Sequence, residues 1–340
     1  MLDTLKELCL INGISGREDE VREYIISKIK DKCEFSVDPI GNVIAFKKGR
    51  NRADSKVMFS AHMDEVGFIV TYICDNGFIK FAPVGGVDKK VVAGRCVTVG
   101  EKNIPGIIGN KAMHLCDGDE SRNVPSTDKM YIDIGSTCKE QTEDFVSVGD
   151  SVNFVSDFVQ FGNNKIKAKA IDDRFGCAVM LKMIESDLMY DAYFVFLVQE
   201  EVGCRGAGPA VFAIRPDYAV VLEATTAADV AGVDAENSVC CQGEGAVVSF
   251  MDRSTVYNLH MFKKAFILAE ENNIKIQAKT AVAGGNDAGV IHKSCNGVKT
   301  IAISLACRYI HSSACVADIE DMYSCYNLAQ LLLKEYANDN

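Results

Sequence analysis

The chain has 340 residues, of which 48% are hydrophobic, and a formal net charge of -11. This length and apolar content suffice for one large domain or two moderate ones. The acidic net charge and the lack of a Lys/Arg cluster argue against nucleic acid as a partner. No apolar run approaches the roughly 20 residues that cross a bilayer, and the N-terminus lacks the basic start of a signal peptide. We therefore expect a cytoplasmic protein with no membrane partner.

The first predicted element is an amphipathic helix after residue 15. Ser15 and Glu18 have capping-box spacing, which predicts that the helix begins there. Apolar residues follow at helical spacing on one face, namely Val21, Tyr24, Ile25 and Ile29. A buried strand ending near His62 comes next, so residues 1–63 form the first part of a predicted α/β domain.

Residues 64–164 have a different texture, with short Val, Ile and Phe runs broken by Gly, Asp and Asn. The segment "TYICDNGFIKF" predicts a hairpin with Asn76 and Gly77 at its turn. Further short strands are predicted in "VVAGRCVTVG", "IPGIIGNK", "MYIDIG" and "FVSVGDSVNFV". This part of the chain is predicted to be a separate β-rich domain.

Helices and strands alternate again from residue 165 to the end. The segment "DDRFGCAVMLKMIES" predicts a helix, whereas "AYFVFLV", "YAVVLEA" and "TIAISLA" predict buried strands. Such alternation is typical of an α/β layer with a largely parallel sheet. We therefore predict a discontinuous α/β domain, residues 1–63 and 165–340, interrupted by the β-rich domain of residues 64–164.

Polar residues follow the apolar strand segments at several places. Because ligands of open α/β sheets bind at the carboxyl ends of the strands, these residues are the candidates for a site. They are His62 and Asp64, Asp172 and Asp173, Glu200 and Glu201, Glu223, and His311. So many acids buried at one edge would cost several kcal/mol without a cation. The pattern therefore predicts a metal centre.

The mixture of imidazole and carboxylate favours Zn, Co or Mn over Ca and Mg, which prefer oxygen ligands alone. The candidates come from five places in the chain. One ligand from each gives five, which exceeds the three of a catalytic zinc site but suits two metal ions that share a carboxylate. A carboxylate that binds no metal would then take the proton of the attacking water. One of the adjacent Glu200 and Glu201 can bind metal while the other is the base, because glycines at 203, 206 and 208 let the chain turn. Each motif alone is more commonly structural, and the other histidines are interpreted in that way: His114 in the β-rich part, His260 inside a predicted helix and His292 at the start of another.

The motifs "SAHMDEVGF", "AIDDRFGCAVM", "VQEEVGCRGA", "GGNDAGVIH" and "CRYIHSS" resemble, in this order, the M42 family of metallo-aminopeptidases, which includes glutamyl aminopeptidases and tetrahedral TET peptidases. The resemblance spans nearly the whole chain. It implies a three-layer α/β/α phosphorylase/hydrolase-like catalytic domain with an inserted β-barrel dimerisation domain. It also implies peptide substrates and dimers that assemble to a tetrahedral dodecamer.

The resemblance also implies a role for each site residue. One metal ion would be held by His62, Asp172 and Glu223, and the other by Asp172, Glu201 and His311, with Asp172 bridging. Two divalent ions per subunit are expected, with zinc first and cobalt or manganese next. Glu200 would be the general base and Asp64 would orient His62, and the Asp172–Asp173 peptide bond would be cis.

Two departures from the family pattern concern the site. Glu223 stands where the family usually has aspartate, and Asn286 stands where threonine is common, in a loop expected to line the substrate pocket. Neither removes a ligand. The preferred N-terminal residue stays open: Lys293 and Arg308 are candidates for binding an acidic side chain only because they lie near the motifs in the sequence.

Two other functions are alternatives to metal-dependent aminopeptidase activity. A cellulase-like glycoside hydrolase could use paired carboxylates, but the chain has no tryptophan to stack sugars and its two histidines would have no role. A non-catalytic assembly or binding protein of the same fold is expected to lack a ligand, whereas all five ligands and Glu200 are present. Hydrolysis of N-terminal residues from short peptides is therefore the leading prediction.

Overall fold

The computed structural model describes residues 1–118 and 122–338. Its helices are α1 (Leu2–Leu10), α2 (Asp19–Ile29), α3 (Lys139–Glu143), α4 (Ile171–Glu185), α5 (Ala207–Ile214), α6 (Leu259–Glu271), α7 (Ala288–Ile291) and α8 (Ile319–Tyr336). Within these residues, no helix has both the length and the apolar composition needed to cross a membrane.

The first strands in the chain are β1 (Glu34–Val37), β2 (Val43–Lys47), β3 (Val57–His62), β4 (Gly67–Ile73), β5 (Ile79–Val84), β6 (Cys96–Val99), β7 (Ile104–Gly109), β8 (Tyr131–Asp133) and β9 (Ser151–Phe154). They are followed by β10 (Val159–Phe161), β11 (Lys165–Ala168), β12 (Ala192–Leu197), β13 (Tyr218–Thr226), β14 (Ala246–Val248), β15 (Ile276–Ala278), β16 (Lys299–Arg308) and β17 (Cys315–Asp318). These strands form one large sheet and one closed barrel.

The large sheet has the order β1-β2-β12-β3-β13-β16-β17-β11-β10, with β14 and β15 attached at β16. Its four central strands, β12, β3, β13 and β16, pair in parallel. The other pairs along this order are antiparallel, whereas the attached β14 and β15 pair in parallel, so the prediction of a largely parallel sheet is right mainly for the centre. The reason is loop length: β16 reaches β17, and β1 reaches β2, through short loops that can join only antiparallel neighbours.

Helices cover both faces of this sheet. Successive strand residues point to opposite faces, and each face has its own buried cluster. Phe59 of β3 and Val220 of β13 belong to the cluster that includes residues of α1, α2, α4 and α8. Met58 and Val221, one position away, belong to the cluster that includes residues of α5 and α7. The three-layer α/β/α architecture is therefore confirmed.

The barrel has the closed strand order β4-β5-β8-β7-β6-β9. Its core contains Phe68, whose ring packs edge-on against Phe81 and Phe154 with centroids 5.0 and 5.2 Å apart. The β4–β5 hairpin turns at Gly77, whose φ of 85° suits glycine, as its sequence predicted. All barrel strands lie between residues 67 and 154, and the domain boundaries stay a prediction.

Two expectations about helix starts are wrong. Helix α2 begins at Asp19 without a side-chain cap, because the Ser15 hydroxyl donates instead to Asp64, 2.6 Å away. Glu18 accepts hydrogen bonds from the backbone N–H groups of Gly16 and Gln199, so it too serves the region around the site. His292 follows the last residue of α7 and does not open a helix.

Candidate metal centre and active site

The structure brings all five predicted metal ligands together at the carboxyl edge of the central strands. They come from the end of β3, the start of α4, the loop after β12, the interior of β13 and the loop after β16, and they are His62, Asp172, Glu201, Glu223 and His311. They fall into two groups whose potential ligand atoms lie within 4.8 Å of one another. Asp172 is common to both groups.

The first group lies below the surface. His62 Nε2 is 3.3 Å from Asp172 Oδ1 and 3.5 Å from Glu223 Oε1. All three residues are buried. Glu223 is a residue of β13 itself and lies opposite Ser304 in the register with β16, so the strand holds its backbone rigidly.

The second group is partly open to the cleft. His311 Nε2 is 3.2 Å from Asp172 Oδ2 and 3.3 Å from Glu201 Oε1. The side chain of His311 is 32% exposed, whereas that of Glu201 is 5% exposed. The two oxygens of Asp172 thus face different histidines, which is the arrangement that a bridging carboxylate requires.

Both histidines direct the same ring nitrogen toward the carboxylates. His62 Nδ1 lies 3.0 Å from the carbonyl oxygen of Asp64, and His311 Nδ1 lies 3.0 Å from that of Gly86. A carbonyl only accepts hydrogen bonds, so each Nδ1 donates its proton, and in the neutral ring Nε2 is then the nitrogen whose lone pair can bind a metal ion. Because Gly86 follows barrel strand β5, the barrel also helps to position the site.

The pKa values of the predicted ligands indicate which kind of ion fits this site. Burial raises the pKa values of Glu201 and Glu223 well above the usual range. For His311, the hydrogen bond to Asp172 and the negative charge of Glu201 outweigh the lowering effect of burial and raise the pKa to about 10. Divalent metal ions fit this donor set because their charge would stabilise the ionised form of these buried carboxylates.

Glu200 lies beside the ligands but belongs to neither group. Its Oε1 accepts a hydrogen bond of 3.4 Å from the Cys204 thiol. Burial is the main cause that raises the pKa of this carboxyl. Both Glu200 and Glu201 line a cleft of about 640 Å³ that also contains Asp172, Glu223 and His311.

Backbone strain and a carboxylate bring the two adjacent glutamates to the cleft. Gln199 has a φ of 57°, which is rare outside glycine, and Gly203 has a φ of 115°. The Asp64 carboxylate accepts the backbone N–H groups of Glu200 and Glu201, at 3.0 and 3.1 Å. The expected glycine turn is thus present at Gly203, but the residue before the glutamates is also in the left-handed region.

Asp173 does not join the metal ligands. Its carboxylate accepts hydrogen bonds from the backbone N–H groups of His62 and Gly176, at 3.2 and 3.0 Å. This ties the start of α4 to the end of β3. The peptide bond between Asp172 and Asp173 is cis, as the resemblance implied.

The other residues singled out in the sequence have different positions. Arg308 forms two hydrogen bonds of 2.7 Å with Asp229, so its charge is already paired. Lys293 is exposed and lines the cleft. Asn286 also lines the cleft, but its amide is buried and contacts the Tyr257 hydroxyl.

Several residues around the site escaped the sequence analysis. The spacing of Ser15 and Glu18 predicts a helix cap, whereas their hydrogen bonds to Asp64 and Gln199 give them a role near the site. Asp287 is buried, its Oδ1 has no hydrogen-bond partner in the described part of the chain, and burial and Glu200 raise its pKa. Lys279 directly follows β15 and lines the cleft, so it would have been found by collecting basic as well as acidic residues at strand ends.

A second missed feature is a buried cluster behind Asp64. The Lys169 ammonium lies 2.7 Å from Glu65 Oε1, and both side chains are almost fully buried. Lys169 also donates to the side-chain oxygen of Asn12, and Arg174 donates to the carbonyl of Leu8. The cluster therefore anchors α1 and the following loop against the segments that carry the site.

Comparisons with known proteins agree with this geometry. The model of the M42 glutamyl aminopeptidase family matches residues 41–328. A putative aminopeptidase of Acetivibrio thermocellus is 40% identical over 96% of this chain and 97% of its own. The glutamyl aminopeptidase of Lactococcus lactis and the lysyl aminopeptidase of Pyrococcus furiosus are each 30% identical, over 94% and 98% of this chain and 92% and 96% of their own.

Solved structures show the same relationship. A TET aminopeptidase from a marine sediment archaeon of the Thaumarchaeota superposes with a TM-score of 0.94, at 32% identity over 99% of this chain and 97% of that one. The TET1 peptidase of Pyrococcus horikoshii can assemble into a tetrahedron or a large octahedral shell. It superposes with a TM-score of 0.87, at 31% identity over 97% of this chain and 98% of that one. The chain therefore belongs to the M42 family of metallopeptidases and is an aminopeptidase.

Proposed function

We propose that the protein removes N-terminal residues from short peptides with two divalent metal ions bound in each subunit. His62, Asp172 and Glu223 would hold one ion, and Asp172, Glu201 and His311 the other. The observation that carries the proposal is that the two ligand groups share Asp172, one oxygen of which faces each histidine. Zinc is the first choice for both positions, followed by cobalt or manganese.

The metal ions, when bound, lower the pKa of a water molecule and polarise the scissile carbonyl. Glu200 is proposed to be the general base that takes the proton of this water, because it lines the cleft beside the ligands without belonging to either group. The same carboxyl can then return the proton to the leaving amine.

Asp64 is proposed to position both parts of this machinery. Its carbonyl oxygen accepts from His62 Nδ1, and its carboxylate accepts the backbone N–H groups of Glu200 and Glu201. A hydrogen-bonded partner of this kind keeps a ligand in the orientation that binding requires. Asp64 itself is fully buried, so it acts through these neighbours and does not touch the substrate.

The test begins with protein stripped by EDTA and then supplied with Zn, Co or Mn. Initial rates are measured on aminoacyl-p-nitroanilides with acidic, basic, aliphatic and aromatic residues, and bound metal is counted by elemental analysis. We expect no activity in the stripped protein and recovery as two ions per chain bind. Full activity at one ion, or activity insensitive to EDTA, would contradict the two-metal proposal.

A control distinguishes this function from glycoside hydrolysis. The same metal-loaded protein is incubated with cellulose and with peptides whose α-amine is acetylated. We expect neither to be cleaved, because the reaction is proposed to require a free N-terminus. Release of reducing sugar that is insensitive to EDTA would instead support the cellulase-like alternative.

We also propose that the chains form dimers through the barrel and that dimers assemble to a tetrahedral dodecamer, with the cytoplasm as the location. The similarity to a TET1 peptidase that assembles into closed shells supports the assembly. Light scattering after size-exclusion chromatography is expected to show a particle of twelve 37.0 kDa chains. A monodisperse monomer at micromolar concentration would overturn this part.

A further inference from the structure

The cleft that contains the candidate metal ligands also contains two lysines. Apart from His311, they are the only basic residues in its described lining, and they are Lys279 and Lys293. Lys293 is exposed, whereas the Lys279 side chain is buried and only 9% of the residue is exposed. A lysine so deeply buried is uncommon, because removing an ammonium group from water is costly unless an anion accompanies it.

The backbone holds Lys279 firmly at this place. It directly follows β15, and its N–H donates to the carbonyl of Val248 at the end of β14, 3.0 Å away. β14 pairs in turn with β16, the strand that leads to His311. The lysine is therefore connected to the metal-ligand loop through paired strands and does not lie on a free loop.

Within the described residues, the Lys279 ammonium has a single hydrogen-bond acceptor and no ion pair. Its Nζ donates to the carbonyl oxygen of Ala283, 2.9 Å away. An ammonium group has three N–H donors, so two remain for other acceptors. Burial lowers the pKa of Lys279, and the charges of Asp252, Cys240 and Glu223, which act to raise it, do not fully offset this effect.

Asp252, the acid in the cleft wall that acts most strongly to raise the pKa of Lys279, has hydrogen-bond partners of its own. Asp252 is buried, and its Oδ1 accepts from the backbone N–H groups of Ser254 and Thr255. Its Oδ2 accepts from the Tyr257 hydroxyl at 2.6 Å. Asp252 therefore acts on Lys279 through its charge, and the two side chains do not form a hydrogen-bonded pair.

We infer that Lys279 binds the side-chain carboxylate of the substrate's N-terminal residue, so that the cleft prefers an N-terminal glutamate or aspartate. The inference rests on the proposed peptidase function and adds the side chain that the cleft selects. A carboxylate supplies the missing counter-ion and accepts the two remaining N–H donors. A neutral side chain leaves the ammonium unpaired, and a basic one places like charges together.

Family membership does not decide this preference. Relatives of equal identity to this chain carry the names glutamyl and lysyl aminopeptidase. The preference is therefore a property of the residues that line the individual cleft, and Lys279 is the buried, unpaired one among those described here.

The test uses the full-length, metal-loaded protein and four peptides X-Ala-Ala-Ala, with Glu, Gln, Leu or Lys as X. Glu and Gln have almost the same shape and differ in charge, so their ratio isolates the ionic contact. We expect kcat/KM for Glu to exceed that for Gln by about 10- to 100-fold. Lys279→Met is expected to reduce this ratio to about 1 while cleavage of the Leu peptide changes less than about threefold.

Three further variants control the result. Lys279→Gln provides a second neutral side chain if the methionine variant folds poorly. Lys275→Met removes an exposed lysine four residues earlier, outside the cleft, and should leave the Glu/Gln ratio as in the parent protein. Lys293→Met tests the exposed lysine of the cleft, and we expect it to change the ratio less than Lys279→Met does.

The outcomes distinguish a failure of the proposed peptidase function from a failure of the proposed role of Lys279. If none of the four peptides is cleaved by protein with its metal bound, the proposed function fails. If the peptides are cleaved but kcat/KM for the Gln peptide equals that for the Glu peptide, the proposed function stands and the role of Lys279 is wrong. Loss of the Glu preference in Lys293→Met but not in Lys279→Met, or an equal loss on all four peptides in Lys279→Met, would also overturn that role.

Discussion

The Asp64 carboxylate accepts the backbone N–H of Glu200 over 3.0 Å. It also accepts the N–H of Glu201 and the hydroxyl of Ser15. One buried acid thus fixes the proposed base, a proposed metal ligand and the loop before α2. Because both of its oxygens accept hydrogen bonds, neither can be replaced by an N–H donor without loss.

This arrangement predicts the effect of Asp64→Asn. The amide would place an N–H group against a backbone N–H, so we expect kcat/KM to fall by about 10- to 100-fold. Ser15→Ala removes only one donor and is expected to cost less than the asparagine variant. Both are measured as initial rates at saturating metal. Equal activity of Asp64→Asn and the parent protein would show that Asp64 does not position the base.

Glu200→Gln tests the base directly. The amide keeps the shape of the side chain but cannot take a proton from water, so we expect kcat to fall by about 100- to 10,000-fold. Metal content, counted by elemental analysis, should stay as in the parent protein because Glu200 belongs to neither ligand group. Glu271→Gln, at an exposed position of α6, is the matched control and should retain activity. A normal rate in Glu200→Gln would assign the base to another group.

Metal binding is predicted to release protons. In the metal-free protein His311 is protonated at neutral pH, since its pKa is raised to about 10, and a metal can bind only the neutral ring. The apparent affinity should therefore rise with pH, by about tenfold per pH unit for each proton released. Calorimetric titration in buffers of different ionisation enthalpy counts these protons.

Two variants assign the proton count. When metal binds to the His311→Ala protein, the number of protons released should be at least one lower than for the parent protein. His114→Ala, which removes an exposed histidine of the β-rich region, should release the same number as the parent protein. A metal affinity that is constant between pH 6 and 9 would contradict the role of His311 as a ligand.

The buried pair of Lys169 and Glu65 is predicted to stabilise the region around α1. Lys169→Met leaves the Glu65 carboxylate without its nearest cation, which is expected to cost about 3 kcal/mol of unfolding free energy. Lys48→Met, at an exposed pair with Glu34, should leave the thermal unfolding temperature unchanged. Equal unfolding temperatures for all three proteins would show that water or Arg174 compensates for the lost ammonium.

Much of the site follows from short-range sequence patterns. Apolar runs followed by polar residues identified His62, Glu201 and His311 as strand-end groups, because parallel strands of one sheet end at a common edge. The hairpin at Gly77 and the alternation of helices and strands were predictable because turn chemistry and hydrophobic periodicity act over a few residues, whereas the three-layer arrangement was implied by the family resemblance. The assignment of Glu200 and the two ligand groups required the family resemblance as well.

Only the tertiary structure decided which distant groups meet. Ser15 and Glu18 have the local spacing of a helix cap, yet their partners Asp64 and Gln199 lie 49 and 181 residues away. The sequence can place Lys279 at a strand end, but its burial and its single hydrogen-bond acceptor among the described residues are known only from the fold. Sequence alone determined the elements and the chemistry available at their ends, because those depend on neighbouring residues. Pairing, burial and charge balance depend on contacts that exist only after the chain has folded.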